Sequence, residues 1–242
     1  MQHFKRILLI RHGECEVGGR ANESPLTALG IQQATALGRH FSNPMDDSCT
    51  IGPTFSSTAA RARHTARIAL DAAGKQDVSI TETEQLLEIS QGDWEGRLRS
   101  QVYTESTVAS IAADPYSFAA PGGESQRGVE VRMMAFVTET VLPRLTAGGP
   151  PAVIVGHGMA IKCLLRGILD SKPQMSRMIW IDNTSITEVA WNDAPGAEHG
   201  WHVARVNDAA HLHKEGLYRS SARQLAASAT HAPLPSASAA QS

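Results

Sequence analysis

Two short stretches carry the residue types from which chemistry can be built. Residues 7–10, ILLI, run directly into Arg11-His12-Gly13, and residues 152–155, AVIV, run directly into Gly156-His157-Gly158. An imidazole near neutral pH can serve as nucleophile, proton carrier or metal ligand. Taken alone, either histidine is most simply a satisfied turn residue. Their repetition after two equivalent apolar runs favours a shared site. A metal centre is the obvious rival, but Arg11 places a permanent cation beside His12, and RARHTAR (61–67) adds more arginine nearby. Guanidinium forks repel a divalent cation and match the oxygens of phosphate or carboxylate, so an anion is the expected ligand. Arg63 and Arg67 read as the solvated side of a helix. Arg61 differs, because it falls in the first turn, next to a strand end.

The elements that must position these residues follow from hydrophobic patterning. ILLI and AVIV lack polar alternation, as parallel strands covered on both faces do. Residues 27–41 read as a helix capped by Thr27, with Ile31, Ala34, Leu37, Gly38 and Phe41 on its inner face. A second strand ends near Phe55, followed by a helix from the STAARARHTARIALDAA stretch with Ser56 or Ser57 as cap. MAIKCLLRGIL forms the helix after His157, Ser125 caps a helix running to Leu142, and SITEVAW and WHVARV close the fold as strands. This rhythm predicts a three-layer α/β/α fold with a mostly parallel central sheet flanked by helices. In such sheets ligands sit beyond the carboxyl ends of the strands. Gly13, Gly156 and Gly158 are expected to permit unusual backbone angles and close approach to a ligand.

Composition bounds the rest. The chain has 242 residues, 42% of them hydrophobic, enough for a full core. With 22 basic against 24 acidic residues the net charge is -2, which gives no general affinity for nucleic acid or an acidic membrane. Cys15, Cys49 and Cys163 are odd in number and scattered, fitting reduced thiols and a cytoplasmic location. No apolar run approaches the roughly 18 residues of a membrane span. Residues 1–218 are expected to form one domain, and 219–242, rich in Ala, Ser and Pro, a disordered tail.

These motifs, in order, resemble the histidine phosphatase superfamily, also called phosphoglycerate mutase-like. RHGE (11–14) matches its signature, followed by SPLTALGIQQA, SSTAARARHTA, LLEISQGDWEGR, PGGESQRGVEVR, VGHGMAIK, NTSIT and NDAAHL, spanning about residues 5–212. The resemblance implies that His12 is a nucleophile accepting a phosphoryl group, with Arg11, Arg61 and His157 completing the phosphate pocket and Gly158 beside it. It implies Glu88 as proton donor, chosen over Glu84 by its place before GDWEG; Asp93 and Glu95 read as structural. Asn22 has two readings, as a group approaching the phosphate or as a turn residue. No metal and no cofactor are implied, and the partner is a small phosphorylated metabolite, with homodimer formation left open.

GDWEG and PGGES resemble the phosphatase branch, which includes α-ribazole phosphatase and broad-specificity phosphatases. The sequence departs from the family where Cys15 replaces a usual serine or threonine, Gly18 replaces a frequent asparagine, and the 16–23 loop is short. Cys15 reads as a small packed side chain or as a redox-sensitive thiol. Three functions are compatible: a metal-independent phosphomonoesterase working through a phosphohistidine, a phosphoglycerate-type mutase, and a non-catalytic phosphate-binding module. The presence of His12, Arg11, Arg61, Glu88 and His157 together speaks against the last. The tail offers little with which to close the site against water, so the first is expected.

Overall fold

A run of isoleucines and leucines builds the central strand, because β-branched and other large apolar side chains fit a pleated surface buried on both faces. In the computed structural model, which describes residues 3–16, 22–42, 50–192, 194 and 200–220, that strand is β1 (Phe4–Arg11). There follow α1 (Ala28–Phe41), β2 (Thr54–Ser57), α2 (Ala60–Ala72), β3 (Ile80–Thr83), α3 (Arg99–Val102), α4 (Glu105–Ala113) and α5 (Gln126–Ala135). The chain continues through β4 (Ala152–Gly156), α6 (Gly158–Leu169), α7 (Met175–Met178), β5 (Ile186–Asn192), β6 (Trp201–Asp208) and α8 (Ala210–Lys214). The residues of the expected tail from 221 onward, and residues 17–21 of the short loop, lie outside the described residues.

The sheet order is β3-β2-β4-β1-β5-β6. The first four strands run parallel, while β5 pairs antiparallel with both β1 and β6. Side chains alternate between two cores. Ile7, Leu9, Phe55, Ala152 and Ile154 pack with residues of α5 and α6 on one face. Leu8, Ile10, Val153 and Val155 pack with Leu37 and Phe41 of α1 and Ala62, Ala66 and Ala69 of α2 on the other. The three-layer arrangement expected from the sequence is therefore present.

Several local expectations are corrected. Ile31 is 47% exposed rather than buried, and the inner face of α1 instead carries Gly30, Gln33, Ala34, Ala36, Leu37, Gly38 and Phe41. Thr27 does cap α1, accepting from the Gly30 amide. Neither Ser56 nor Ser57 caps α2: both belong to β2, and the cap position is Ala59, without a side-chain bond. Ser125 caps α5 by accepting from Gly128, but the helix is not α-helical to Leu142; it passes into a π-helical stretch over Phe136–Val141. No helix among the described residues is long and apolar enough to cross a membrane.

Candidate active site

The two histidines meet because β1 and β4 are neighbours in register, with Arg11 opposite Gly156. The helix that follows β1 covers one face and the helix that follows β4 the other, so the chain diverges at this edge and leaves a crevice. His12 is buried there, its amide donating to the Gly156 carbonyl at 3.0 Å. His157 is fully buried and occupies the N-cap position of α6 without a side-chain cap bond. The rings stand edge to face, their centroids 5.1 Å apart.

Hydrogen bonds fix the protonation of both rings. Nδ1 of His12 lies 2.7 Å from the Gly13 carbonyl, which can only accept, so Nδ1 carries the hydrogen. The lone pair is then on Nε2, where it accepts from Arg61 Nε at 3.2 Å. Arg61 Nη2 donates to His157 Nδ1 at 3.1 Å, so His157 is protonated on Nε2 and donates to Ser57 Oγ at 2.9 Å. Arg61 is itself buried and holds both imidazoles as neutral acceptors. Burial, followed by the fields of Arg11 and Arg61, holds the His12 pKa well below the usual histidine range. Burial also dominates at His157, with the fields of His12, Arg61 and Arg11 acting in the same sense.

Arg11, half-buried, donates from Nη1 to the Ile181 carbonyl at 2.7 Å. Burial lowers its pKa, while the nearby charges of Glu88 and Asp182 oppose that shift. Gly158 lies against it, a Cβ there falling 3.6 Å from the Arg11 Cδ and Nε. Glu88 approaches from the irregular segment after the Glu84–Leu86 3-10 turn. Its Oε1 accepts from the amides of Ile89 and Ala160, and its Oε2 from Met159, each at 3.0 Å. The carboxylate thus caps the first turn of α6, where His157 makes no side-chain cap.

The structure therefore brings Arg11, His12, Arg61, His157, Gly158 and Glu88 to one strand edge. Asn22 is exposed, and its contact with this region is through its backbone carbonyl, which accepts from Ala60 at the start of α2. Arg63 is exposed and pairs with Glu82, whereas Arg67 is half-buried rather than solvated, pairing with Asp71 and reaching the carbonyls of Lys75 and Val78. Glu95 closes a local turn by accepting from Ser90 Oγ and the Gln91 amide, and Asp93 is exposed. The glycine expectation is corrected in one respect: Gly13, Gly156 and Gly158 all lack positive φ. Gly13 is needed for close approach, since a Cβ would lie 2.7 Å from the Gly30 carbonyl oxygen. Burial raises the Cys15 thiol pKa, against the opposing fields of Arg61 and Arg11. Among the described residues no group of three or more His, Cys, Asp and Glu side chains is arranged to hold a metal ion.

Other supporting residues were not singled out from the sequence. Thr65 Oγ1 accepts from the Gly13 amide and donates to the Arg61 carbonyl. Gln33 accepts from the Glu14 amide, and Asn183 donates to the His12 carbonyl at 2.8 Å. Thr65 stands four residues after Arg61 on one helix face, a spacing that could have found it. Asn183 begins the NTSIT motif, but its partner is 171 residues away and no local pattern predicts that contact.

Comparison with known proteins identifies the family and the fold. A family model described as the histidine phosphatase superfamily (branch 1) matches residues 7–209. The "Probable phosphoglycerate mutase GpmB" of Yersinia pestis (strain Pestoides F) is 29% identical over 220 residues, covering 88% of this chain and 97% of its own. Among solved structures, a mycobacterial glucosyl-3-phosphoglycerate phosphatase is 25% identical with a TM-score of 0.70, over 85% of this chain and 99% of that one. Bacillus stearothermophilus YhfR is 26% identical with a TM-score of 0.70, over 86% and 99%.

Proposed function

The chain belongs to the histidine phosphatase superfamily (branch 1), and on that premise we propose that it is a metal-independent phosphomonoesterase acting on a small phosphorylated metabolite through a phosphohistidine on His12. The observation that carries this reading is the hydrogen-bond geometry of the buried His12 ring, with Nδ1 against the Gly13 carbonyl and Nε2 facing Arg61. A buried neutral imidazole with hydrogen on Nδ1 has its Nε2 lone pair available beside Arg61, which is the state a nucleophile needs.

In the first step Nε2 of His12 attacks phosphorus as the ester P–O bond breaks, and Glu88 in its acid form gives its proton to the departing alkoxide. Oε2 of Glu88, which accepts a single amide bond in contrast to the two at Oε1, is the oxygen with room for that proton. In the second step water attacks phosphorus, its proton passes to the Glu88 carboxylate, and the P–N bond breaks to release phosphate and neutral His12. Arg11 and Arg61 hold the negative charge of the transferring group, as preorganised donors do in phosphoryl transfer, while His157, whose Nδ1 accepts from Arg61, lines the pocket edge to face with His12. Gly158 presents backbone beside Arg11, and Asn22 is assigned to the turn rather than to the phosphate.

A mutase reading retains the same residues and is favoured by the name of the Yersinia relative. One assay separates the two. Purified protein is given 3-phosphoglycerate, phosphoserine, glycerol phosphate and p-nitrophenyl phosphate with EDTA present, free phosphate is measured, and acid-labile phosphoprotein is trapped by rapid quench. Phosphate release with EDTA, and trapped phosphoprotein lost in His12→Ala, is the expected result. Phosphate exchange between phosphoglycerates with little free phosphate would establish the mutase instead. Activity restored only by a divalent ion would overturn the proposed site.

A further inference from the structure

Glu88 lies on a segment without regular hydrogen bonding, yet an acid that protonates a leaving group must be held to within a fraction of an ångström. Its carboxylate is fixed by the first turn of α6, as described above. Its backbone is fixed from another side, by Arg132 on α5. Arg132 Nη1 donates to the Gln85 carbonyl at 2.8 Å and Nη2 to the Leu87 carbonyl at 2.7 Å, with a longer contact of 3.4 Å to the carbonyl of Glu88 itself. The fork is oriented by Glu124, which accepts from Nε at 2.8 Å and from Nη2 at 2.9 Å. The Glu124 amide also donates to the Ser90 carbonyl at 2.9 Å, so the same residue tethers the chain two positions beyond Glu88. The pair joins the PGGES motif to the loop that carries the acid, a connection with no counterpart in the capping role of Ser125.

We propose that Arg132, oriented by Glu124, is a positioning residue for Glu88: it clamps the carbonyls on the N-terminal side of the acid while Glu124 holds the chain beyond it. A guanidinium suits this task because its planar array of donors serves one carboxylate and two carbonyls at once, which an ammonium cannot do in the same plane. This inference rests on the reading of Glu88 as general acid, and its test keeps the two apart.

The test compares glycerol phosphate, whose alkoxide needs a proton to leave, with p-nitrophenyl phosphate, whose phenolate does not. Glu88→Gln should lose about a hundred-fold or more on the alkyl ester and much less on the aryl ester. Arg132→Met should show the same selectivity at smaller size, about ten- to a hundred-fold on the alkyl ester and under about three-fold on the aryl ester, as a displacement of the acid predicts. Arg132→Lys and Glu124→Gln should fall between wild type and Arg132→Met. In the Glu88→Gln background, Arg132→Met should add almost nothing, since a residue that acts through Glu88 has nothing left to position.

Equal losses on both esters, no loss on either, or full additivity with Glu88→Gln would overturn the positioning role. If Arg132→Met does not fold by thermal melting, Arg132→Lys and Glu124→Gln supply the same comparison. A Glu88→Gln variant without ester selectivity would overturn the acid assignment itself, and wild-type protein inert toward both esters would overturn the phosphatase reading.

Discussion

Arg61 illustrates how one side chain can set the state of a whole site. It donates to Nε2 of His12 and to Nδ1 of His157 from two different nitrogens, so a single guanidinium orients both rings as neutral acceptors. Lysine would preserve the charge and lose the geometry, since its ammonium is a point donor on a flexible stem. Arg61→Lys is therefore expected to lower kcat by about a hundred-fold, the scale seen on removing one preorganised donor to a transition state. Arg63→Lys, on an exposed arginine paired with Glu82 across 3.6 Å, should lie within about two-fold of wild type, because exposed pairs contribute little. Steady-state kinetics on p-nitrophenyl phosphate decide the matter, and equal behaviour of the two variants would remove Arg61 from the phosphate pocket. The neutral state of His12 also predicts that kcat/KM does not follow an ordinary histidine titration near pH 6.5, but persists to lower pH with the nucleophile still unprotonated.

At the level of elements, the turn that carries His12 is defined by close packing against α1. A Cβ on Gly30 would lie 2.0 Å from the Glu14 carbonyl oxygen, backbone against backbone, with no flexible side chain to yield. Gly30→Ala must push α1 away from the turn, at a cost of about 1–3 kcal/mol typical of overpacking, and must shift the Gly13 carbonyl that orients His12. Both the melting temperature and kcat should fall; a variant with wild-type kcat would show that the turn does not transmit this contact to the nucleophile. Much of this element layer was legible in the sequence, for identifiable reasons. ILLI and AVIV are apolar without alternation, which only doubly covered strands allow, and Thr27 and Ser125 are caps in ordinary positions. Ser57 misled because a serine before a helical pattern usually caps it, whereas here it belongs to the strand and accepts from His157, a partner 100 residues away. Ile31 misled because its spacing fits the inner face, while in the fold Gln33, polar but fully buried, occupies that side and holds the Glu14 amide. That Arg11, His12, Arg61 and His157 come together was legible from residue type and from their places just after apolar runs and in a first helical turn. Glu88 was not, since periodicity does not distinguish it from Glu84 and only the family motif does.

Across the whole molecule, the pattern of buried neutral imidazoles couples the site to stability. His12 and His157 lie at the strand edge, and His211, on α8, is buried against Thr184, its Nε2 lying 3.3 Å from Thr184 Oγ1. Burial drives the pKa of all three down, that of His211 to about 4. In the unfolded chain each returns to about 6.5. Above that value both states are neutral and the three histidines contribute nothing to the pH dependence. As pH falls below it, the unfolded chain takes up protons that the folded protein does not, so stability falls on the acid side. Each such group contributes a slope approaching about 1.4 kcal/mol per pH unit until its folded value is reached. Melting temperature should therefore drop between pH 7 and pH 5, before most carboxylates titrate, and His211→Gln should make that drop shallower than in wild type. A melting temperature flat across this interval, or an unchanged slope in His211→Gln, would show that the imidazoles are not held neutral. The same arrangement that keeps His12 neutral at low pH makes the fold less tolerant of it, so the acid limit of activity should coincide with loss of structure, followed by circular dichroism, rather than with protonation of His12.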